Sequence, residues 1–481
     1  MAFAKTTTNQ GGPALRAKRN PQRGLDFSGS HLKITNEYYG KYEAVSSTLD
    51  QVPRLVNLIH GDLDKTLEYV NLERRGRRPE YTTDNVLRIL ICQMLEGASL
   101  RGIVVRIDDS NFLRRFTRID NSPMMDYTTL CKLKNAIRPE TWRAVNRGLA
   151  EHAVRRELID GDRLRLDTTA VETNIHWPAD STLLWDVYRT LDRLIRQARE
   201  IDSEAVGSRR LQARRAKRLQ QKINRRAANK GRSVKQLKPL YTQLIRLVND
   251  LFDWARAVRQ ELANSQRITS IMDAAAAAAI VEQIDHYTLL GRQVVRQARR
   301  RVLQGERVPN EEKLFSIFEP HTELLKRGKA GKDVEFGHMI QIQQVDGKLI
   351  TDYEVFDKRP VEYELVNAAL KSHKKLFGRY PDELAADKGY YESMDAIDRL
   401  QRKVPMVSIA KKGRRTSEQA EREHDPLFRL AQRFRAGVEG TISFLKRMLR
   451  LARCFNKGWE HFVATVGQTI LAHNLLILAR C

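Results

Sequence analysis

The sequence predicts an α/β protein: a mixed β-sheet core with a long helical insertion, preceded by an all-helical amino-terminal domain. Three observations predict it. Strand-like alternation is confined to short stretches at residues 163–167, 334–345, 349–356, 383–387 and 404–410. Helical patterning fills the chain before the first of them. It also fills most of the gap between the first and second, from about Leu183 to Arg301. Without that gap the order is strand, hairpin, helix, strand, helix, strand, helix, which fits one sheet flanked by helices.

Residues 1–48 hold Gly11-Gly12-Pro13 and the cations Arg16, Lys18, Arg19 and Arg23. They are expected to form a flexible basic arm. Residues 49–158 form the helical domain. Thr82-Thr83-Asp84 is an N-cap cluster before Val86, Leu87, Ile89, Leu90 and Ile91. Gly97 breaks that helix, and Ser99 caps a second through Leu100, Ile103, Val104 and Ile107. Helix, short turn, helix is the outline of a groove-reading module, and equally of many ordinary helix pairs. Its candidate DNA contacts are Arg101 and Arg106.

The first strand opens at Arg163, within a core assigned to residues 159–185 and 334–481. Residues 186–333 are the insertion. Within it, Arg209 to Lys238 carries 13 Lys or Arg in 30 residues and no Asp or Glu. Its candidate phosphate contacts are Arg209, Arg210, Arg214, Arg215, Lys217 and Arg218. Asp346-Gly347 marks a hairpin turn between the second and third strand stretches. Two helices close the sequence, one around Glu439 and one from Trp459 to Ala479.

Composition narrows the partner. Across 481 residues, 85 Lys plus Arg oppose 59 Asp plus Glu, a formal charge of +26. An excess this large and this clustered points to a polyanion such as double-stranded DNA. Cys92, Cys131, Cys454 and Cys481 form no CxxC pair and read as reduced thiols. No apolar run approaches the ~20 residues of a membrane span, and the amino terminus lacks a signal-peptide segment. A cytoplasmic protein without a membrane partner is expected.

Three carboxylates stand in frames suited to phosphodiester chemistry. Asp167 closes Leu164-Arg-Leu166-Asp167-Thr-Thr, and Asp387 ends Glu383-Leu-Ala-Ala-Asp387 before Lys388-Gly389. Glu439 lies in a predicted helix. At 100° per residue Arg435 and Lys446 project within about 40° of it, so one helix face joins a carboxylate to two cations. Gly437 and Gly440 flank the glutamate, where a backbone or ligand can approach closely. A lone strand-end aspartate is more often a turn or cap. Two of them with a helical glutamate suffice to hold a pair of Mg²⁺ ions, for which Mn²⁺ can substitute. His176, His321 and His338 form no site by themselves, and no Walker A loop or dinucleotide fingerprint is present.

Asp167-Thr-Thr-Ala-Val-Glu-Thr-Asn, Ala386-Asp387-Lys-Gly-Tyr-Tyr and Arg435-x₃-Glu439-x₆-Lys446 together resemble bacterial insertion-sequence transposases of the DDE class, nearest the ISNCY-like group. The resemblance covers about residues 50 to 480. It implies a ribonuclease-H-like core with Asp167, Asp387 and Glu439 as catalytic metal ligands, and a helical domain that helps bind the element's ends. Related transposases often carry a tyrosine three residues before the arginine of the glutamate helix; here Gln432 stands there. The expected activity is Mg²⁺-dependent DNA cleavage and strand transfer, with Lys388, Arg435 and Lys446 on DNA. The expected partners are the element's terminal repeats and target DNA, bound by a homodimer or larger assembly associated with the bacterial nucleoid. The alternatives are a nuclease of the same fold that only cuts, and a catalytically silent DNA-binding protein.

Overall fold

The computed structural model describes residues 32–72, 81–228, 236–329 and 332–480. Arg16, Lys18, Arg19 and Arg23 of the expected arm lie outside these, as do residues 229–235 of the basic stretch.

The described chain opens with helices α1 (Lys33–Gln51), α2 (Arg54–Leu72), α3 (Thr83–Leu95), α4 (Leu100–Asp109), α5 (Asn111–Phe116), α6 (Tyr127–Ala136) and α7 (Pro139–Arg155). Among the described residues the helical region already includes Lys33–Gln51, ahead of the expected boundary at residue 49. Tyr42, Val45 and Leu49 form the buried stripe of α1. Its spacing is helical, but polar residues dilute it in the sequence. Thr82 caps α3 through a capping box with Asn85, and Ser99 caps α4 by accepting from the Gly102 amide. Gly97 makes the turn between them with φ at +54°. Helix α3 is buried along almost its whole length. Only α4, with Arg101, Val105 and Arg106 exposed, offers a face to a groove.

Strand β1 (Arg163–Thr173) follows. The insertion is a bundle of α8 (Asp180–Ile201), α9 (Ser203–Val206), α10 (Ala213–Ala228), α11 (Lys238–Ala263) and α12 (Ile271–Ala298). It has its own apolar core, which includes Leu184, Leu191, Ile195, Leu244, Val248 and Val294. The sheet resumes at β2 (Glu323–Lys329), not at residue 334 as expected. Glu-Leu-Leu-Lys-Arg-Gly-Lys carries no alternation, and β2 is an edge strand paired with β3 alone.

The remaining elements are β3 (Lys332–Val345), β4 (Ile350–Val355), α13 (Leu365–Phe377), β5 (Glu383–Ala386), α14 (Met394–Gln401), β6 (Met406–Ile409), α15 (Ser417–His424), α16 (Pro426–Arg447), β7 (Arg453–Cys454) and α17 (Trp459–Leu478). The sheet runs β2-β3-β1-β5-β6, with β4 on β3 and β7 on β1. β3 is antiparallel to β1, whereas β5 and β6 are parallel to it. Helices cover both faces of this mixed sheet.

Helix α17 has the length and hydropathy of a membrane span, contrary to the sequence expectation, and most of it is buried inside the protein. It packs against α7, α3 and β4. Two of its polar side chains tie it to its neighbours. Gln468 donates to the Leu90 carbonyl at 2.9 Å, and Asn474 brackets Ile350 by donating to its carbonyl at 2.8 Å and accepting from its amide at 3.0 Å. Leu471 and Leu475 are fully buried, each contributing roughly 1.5–3 kcal/mol. One apolar core runs without a break from Tyr42 on α1 through the sheet to Leu478. Residue 158 is thus no packing boundary: α17 belongs to the helical region and to the sheet at once.

Candidate functional site

Asp167 and Asp387 stand level on adjacent parallel strands. Leu166 of β1 is in register with Ala386 of β5, so the next residue of each strand presents its carboxylate to the same face. Asp167 is not at a strand end, as the sequence suggested. β1 continues to Thr173 because β3 accompanies it as far as Glu172. What ends at Asp167 is the partner on the other edge: β5 pairs through Leu166, and β7 begins only at Glu172. Asp167 therefore opens a gap in the sheet between β5 and β7.

Each aspartate is steadied by a backbone amide. Asp167 accepts from Thr168 at 2.8 Å. Asp387 accepts from Gly389 at 2.9 Å and caps the tight turn Lys388–Tyr390, through which the chain leaves the strand. Lys388 itself is exposed. Burial, and then the charge of Asp387, push the Asp167 carboxyl up to about 7, while Arg435 pulls the other way.

A fourth carboxylate, which the sequence reading missed, stands beside this pair. Glu362 begins the short turn Glu362–Glu364 before α13. It accepts a hydrogen bond from the Thr168 hydroxyl, and its charge also raises Asp167. A Cβ at Gly389 would lie 1.8 Å from Glu362 Oε2 and 3.0 Å from Asp387 Oδ1. Those two oxygens are thus no farther apart than the sum of these distances. The buried Tyr390 hydroxyl accepts from Gln341 Nε2 at 3.3 Å. Burial holds it well above its usual range, with further contributions from Asp167, Glu362 and Asp387.

Helix α16 crosses the same face of the sheet. Gln432 donates to Ala386 O at 3.2 Å and to Ser408 O at 2.7 Å, tying the helix to the ends of β5 and β6. Arg165 reaches the Phe434 carbonyl at 2.6 Å and Gln344 Oε1 at 2.6 Å. Gly437 lies over that guanidinium, where a Cβ would come within 2.4 Å of Nη1; Gly440 has nothing within 4 Å. Close backbone approach accounts for the first glycine only. Glu439 is 65% exposed at its side chain and pairs with Arg435 at 3.3 Å. It does not touch the aspartates; Arg435 stands electrostatically between them. Lys446 follows near the end of the same helix.

Among the described residues no three His, Cys, Asp or Glu side chains are close enough to form a metal cage. Mg²⁺ does not require one, since one or two carboxylates with substrate phosphates suffice. The donor set fits such an ion. Two level carboxylates that repel one another, one of them buried and raised, are stabilised by a divalent cation.

The cationic candidates are dispersed. Arg106 is bound to Glu96 at 3.0 Å, Arg101 lies 4.5 Å over the Tyr127 ring, and Arg209 stacks 5.3 Å over Trp254. Arg210 is exposed beside it. On α10, Ala216, Leu219 and Ile223 face the bundle core. Arg214, Arg215, Lys217 and Arg218 face outward with no carboxylate partner among the described residues. Of the histidines, His176 bonds Asp186 at 2.6 Å. His321 links Glu319 to His338 at 2.9 and 2.8 Å, and burial lowers His338 to about 4. None of the three reaches the aspartates through a hydrogen bond.

Residues 38–136, which span α2 to α6 and part of α1, match the family described as Transposase domain (DUF772), and this supports a transposase family for the chain. No curated protein and no solved structure matches it.

Proposed function

We propose that this protein is a DDE-class DNA transposase of the ISNCY-like group. It binds the ends of an insertion sequence and catalyses Mg²⁺-dependent cleavage and strand transfer from a ribonuclease-H-like core. The observation that carries the reading is the level placement of Asp167 and Asp387 on parallel strands, with the Glu439 helix packed across the same face. The matched transposase domain and the charge of +26 support it independently.

Asp167 and Asp387 would hold the metal, with Glu439 joining once Arg435 turns to a DNA phosphate. Bound there, Mg²⁺ supplies charge stabilisation and acidifies water for in-line displacement. Arg435, Lys446 and Lys388 hold the phosphates flanking the scissile bond. The exposed cations of α10 add sequence-independent affinity. An element has two ends, so two copies acting together are the expected assembly. Such a protein works on cytoplasmic DNA in the nucleoid.

The test is incubation of the full chain with duplexes carrying the element's ends, with and without Mg²⁺ or Mn²⁺, followed by separation of cut and joined products. Asp167→Asn, Asp387→Asn and Glu439→Gln should each lower cleavage by about 100-fold or more, the scale lost with one transition-state stabilising group. DNA binding should persist. Near-normal cleavage by Asp387→Asn would overturn the assignment. Cutting without joining would favour the nuclease reading.

A further inference from the structure

A cavity of about 500 Å³ lies where the helical region meets the carboxy-terminal part of the fold. Its walls come from the α3–α4 turn, α6, the segment around β7 and the middle of α17. Four cations line it, Arg101, Lys134, Arg450 and Arg453, and no Asp or Glu does. Three of the four are engaged. Arg101 lies over Tyr127, Arg450 donates to the Gly97 carbonyl at 2.6 Å, and Arg453 pairs with Glu172 at 2.7 Å.

Lys134 is different. It is 7% exposed, and among the described residues its amine has neither a hydrogen bond nor an ion pair. The groups whose charge it feels are the thiols of Cys454 and Cys131, not carboxylates. A buried, unpaired ammonium is costly and is rarely retained without a counter-charge. Burial already pulls it down to about 8. Phe455, which also lines the cavity, leaves 63% of its surface exposed. A wall of cations calls for an anion, and the exposed ring of Phe455 calls for a planar ring.

We infer that this cavity binds a nucleoside phosphate unit, its phosphate against Lys134 and the arginines and its base against Phe455. The inference rests on the nucleic-acid-processing reading, but not on catalysis. The unit is supplied either by an unpaired nucleotide of the bound DNA or by a free mononucleotide. Arg453 faces Glu172 on β1, five residues beyond Asp167, roughly 17 Å along the strand. An unpaired nucleotide held there would anchor DNA at a fixed distance from the carboxylate pair. It would also bridge the joint that Arg450 and Gly97 already span.

The experiment uses the full chain without divalent metal, so cleavage is not needed. Binding is measured by fluorescence anisotropy to a blunt duplex and to the same duplex with a four-nucleotide single-stranded overhang. Competition by dAMP is measured alongside. The overhang should bind about tenfold more tightly than the blunt end. Lys134→Met and Phe455→Ala should each bring the two within about twofold while leaving blunt-end binding unchanged. Phe455→Ala alters an exposed side chain, so it reports even if Lys134→Met fails to fold. Competition by dAMP without an overhang preference assigns the site to the free nucleotide. Absence of both effects, or their persistence in Phe455→Ala, overturns the inference. A protein that never cuts DNA yet discriminates overhangs keeps this site and loses only the proposed reaction.

Discussion

The guanidinium of Arg165 lies directly beneath Gly437, where helix α16 crosses strand β1. The helix that carries Arg435 and Glu439 is thus seated by a side chain two positions before Asp167. Gly437→Ala would put a methyl group 2.4 Å from Nη1 and should destabilise the fold by about 1–3 kcal/mol. Cleavage should fall with it, because Arg435 and Glu439 move. Gly440→Ala meets nothing within 4 Å and should stabilise by roughly 0.5–1 kcal/mol through helix propensity. Paired urea melts of the two variants check this contrast.

Asp167 makes the metal-free protein sensitive to pH. Its carboxyl is raised to about 7 in the fold and returns to about 4 in the unfolded chain. Between those values the folded state keeps a proton that the unfolded state gives up. Stability is therefore greatest below this window and is lost as pH rises through it. Asp167→Asn should match the parent near pH 4 and exceed it at pH 8 by on the order of 2–4 kcal/mol. Added Mg²⁺ should narrow the gap by stabilising only the parent. Thermal melts at the two pH values, with and without metal, measure it. An equal response of both proteins to Mg²⁺ would remove Asp167 from the metal site.

Gly389 and Glu362 should behave as a coupled pair. A methyl group at Gly389 falls on the Glu362 carboxylate, so Gly389→Ala should cost about 1–3 kcal/mol. Glu362→Ala in the same chain should recover most of it. A double-mutant cycle should return a coupling energy above about 0.5 kcal/mol. Additive effects would mean that the side chain steps aside freely.

The outward cations of α10 should act on DNA without regard to sequence. Replacing Arg214, Arg215, Lys217, Arg218 and Lys222 by glutamine should weaken binding to specific and scrambled duplexes alike. It should also reduce the slope of log affinity against log salt by about 4 to 5. The buried stripe of Ala216, Leu219 and Ile223 is left intact, so the helix should stay seated. An unchanged slope would turn this face away from DNA.

Much of the sheet is legible in the sequence because Leu164 and Leu166 of β1, Ile340 and Ile342 of β3 and Leu384 of β5 are apolar and fully buried. Asp387 stands out where β5 ends, and Asp167 where the apolar alternation of β1 breaks, although the strand itself runs on to Thr173. Glu362 does not, because its place beside them depends on how the β3–β4 hairpin and α13 return to the site, and no local pattern records that path. Lys134 reads as an ordinary helix-surface cation until β7, two residues long, brings Cys454 alongside it. β2 is hidden because Glu-Leu-Leu-Lys-Arg-Gly-Lys carries no alternation of apolar and polar residues. α1 is hidden because three buried residues in nineteen leave a thin stripe.

Helix α17 has a consequence for how the protein is made. Gln468 completes a hydrogen bond to Leu90 across 378 positions, so helices α3 and α7 lack part of their interior until the residues of α17 have been made. A nascent chain shorter than this presents an open apolar groove on α3 and α7. It should be a chaperone client and not a competent DNA binder. Docking of the late helix then closes the helical region and the sheet in one event, so neither matures ahead of the other.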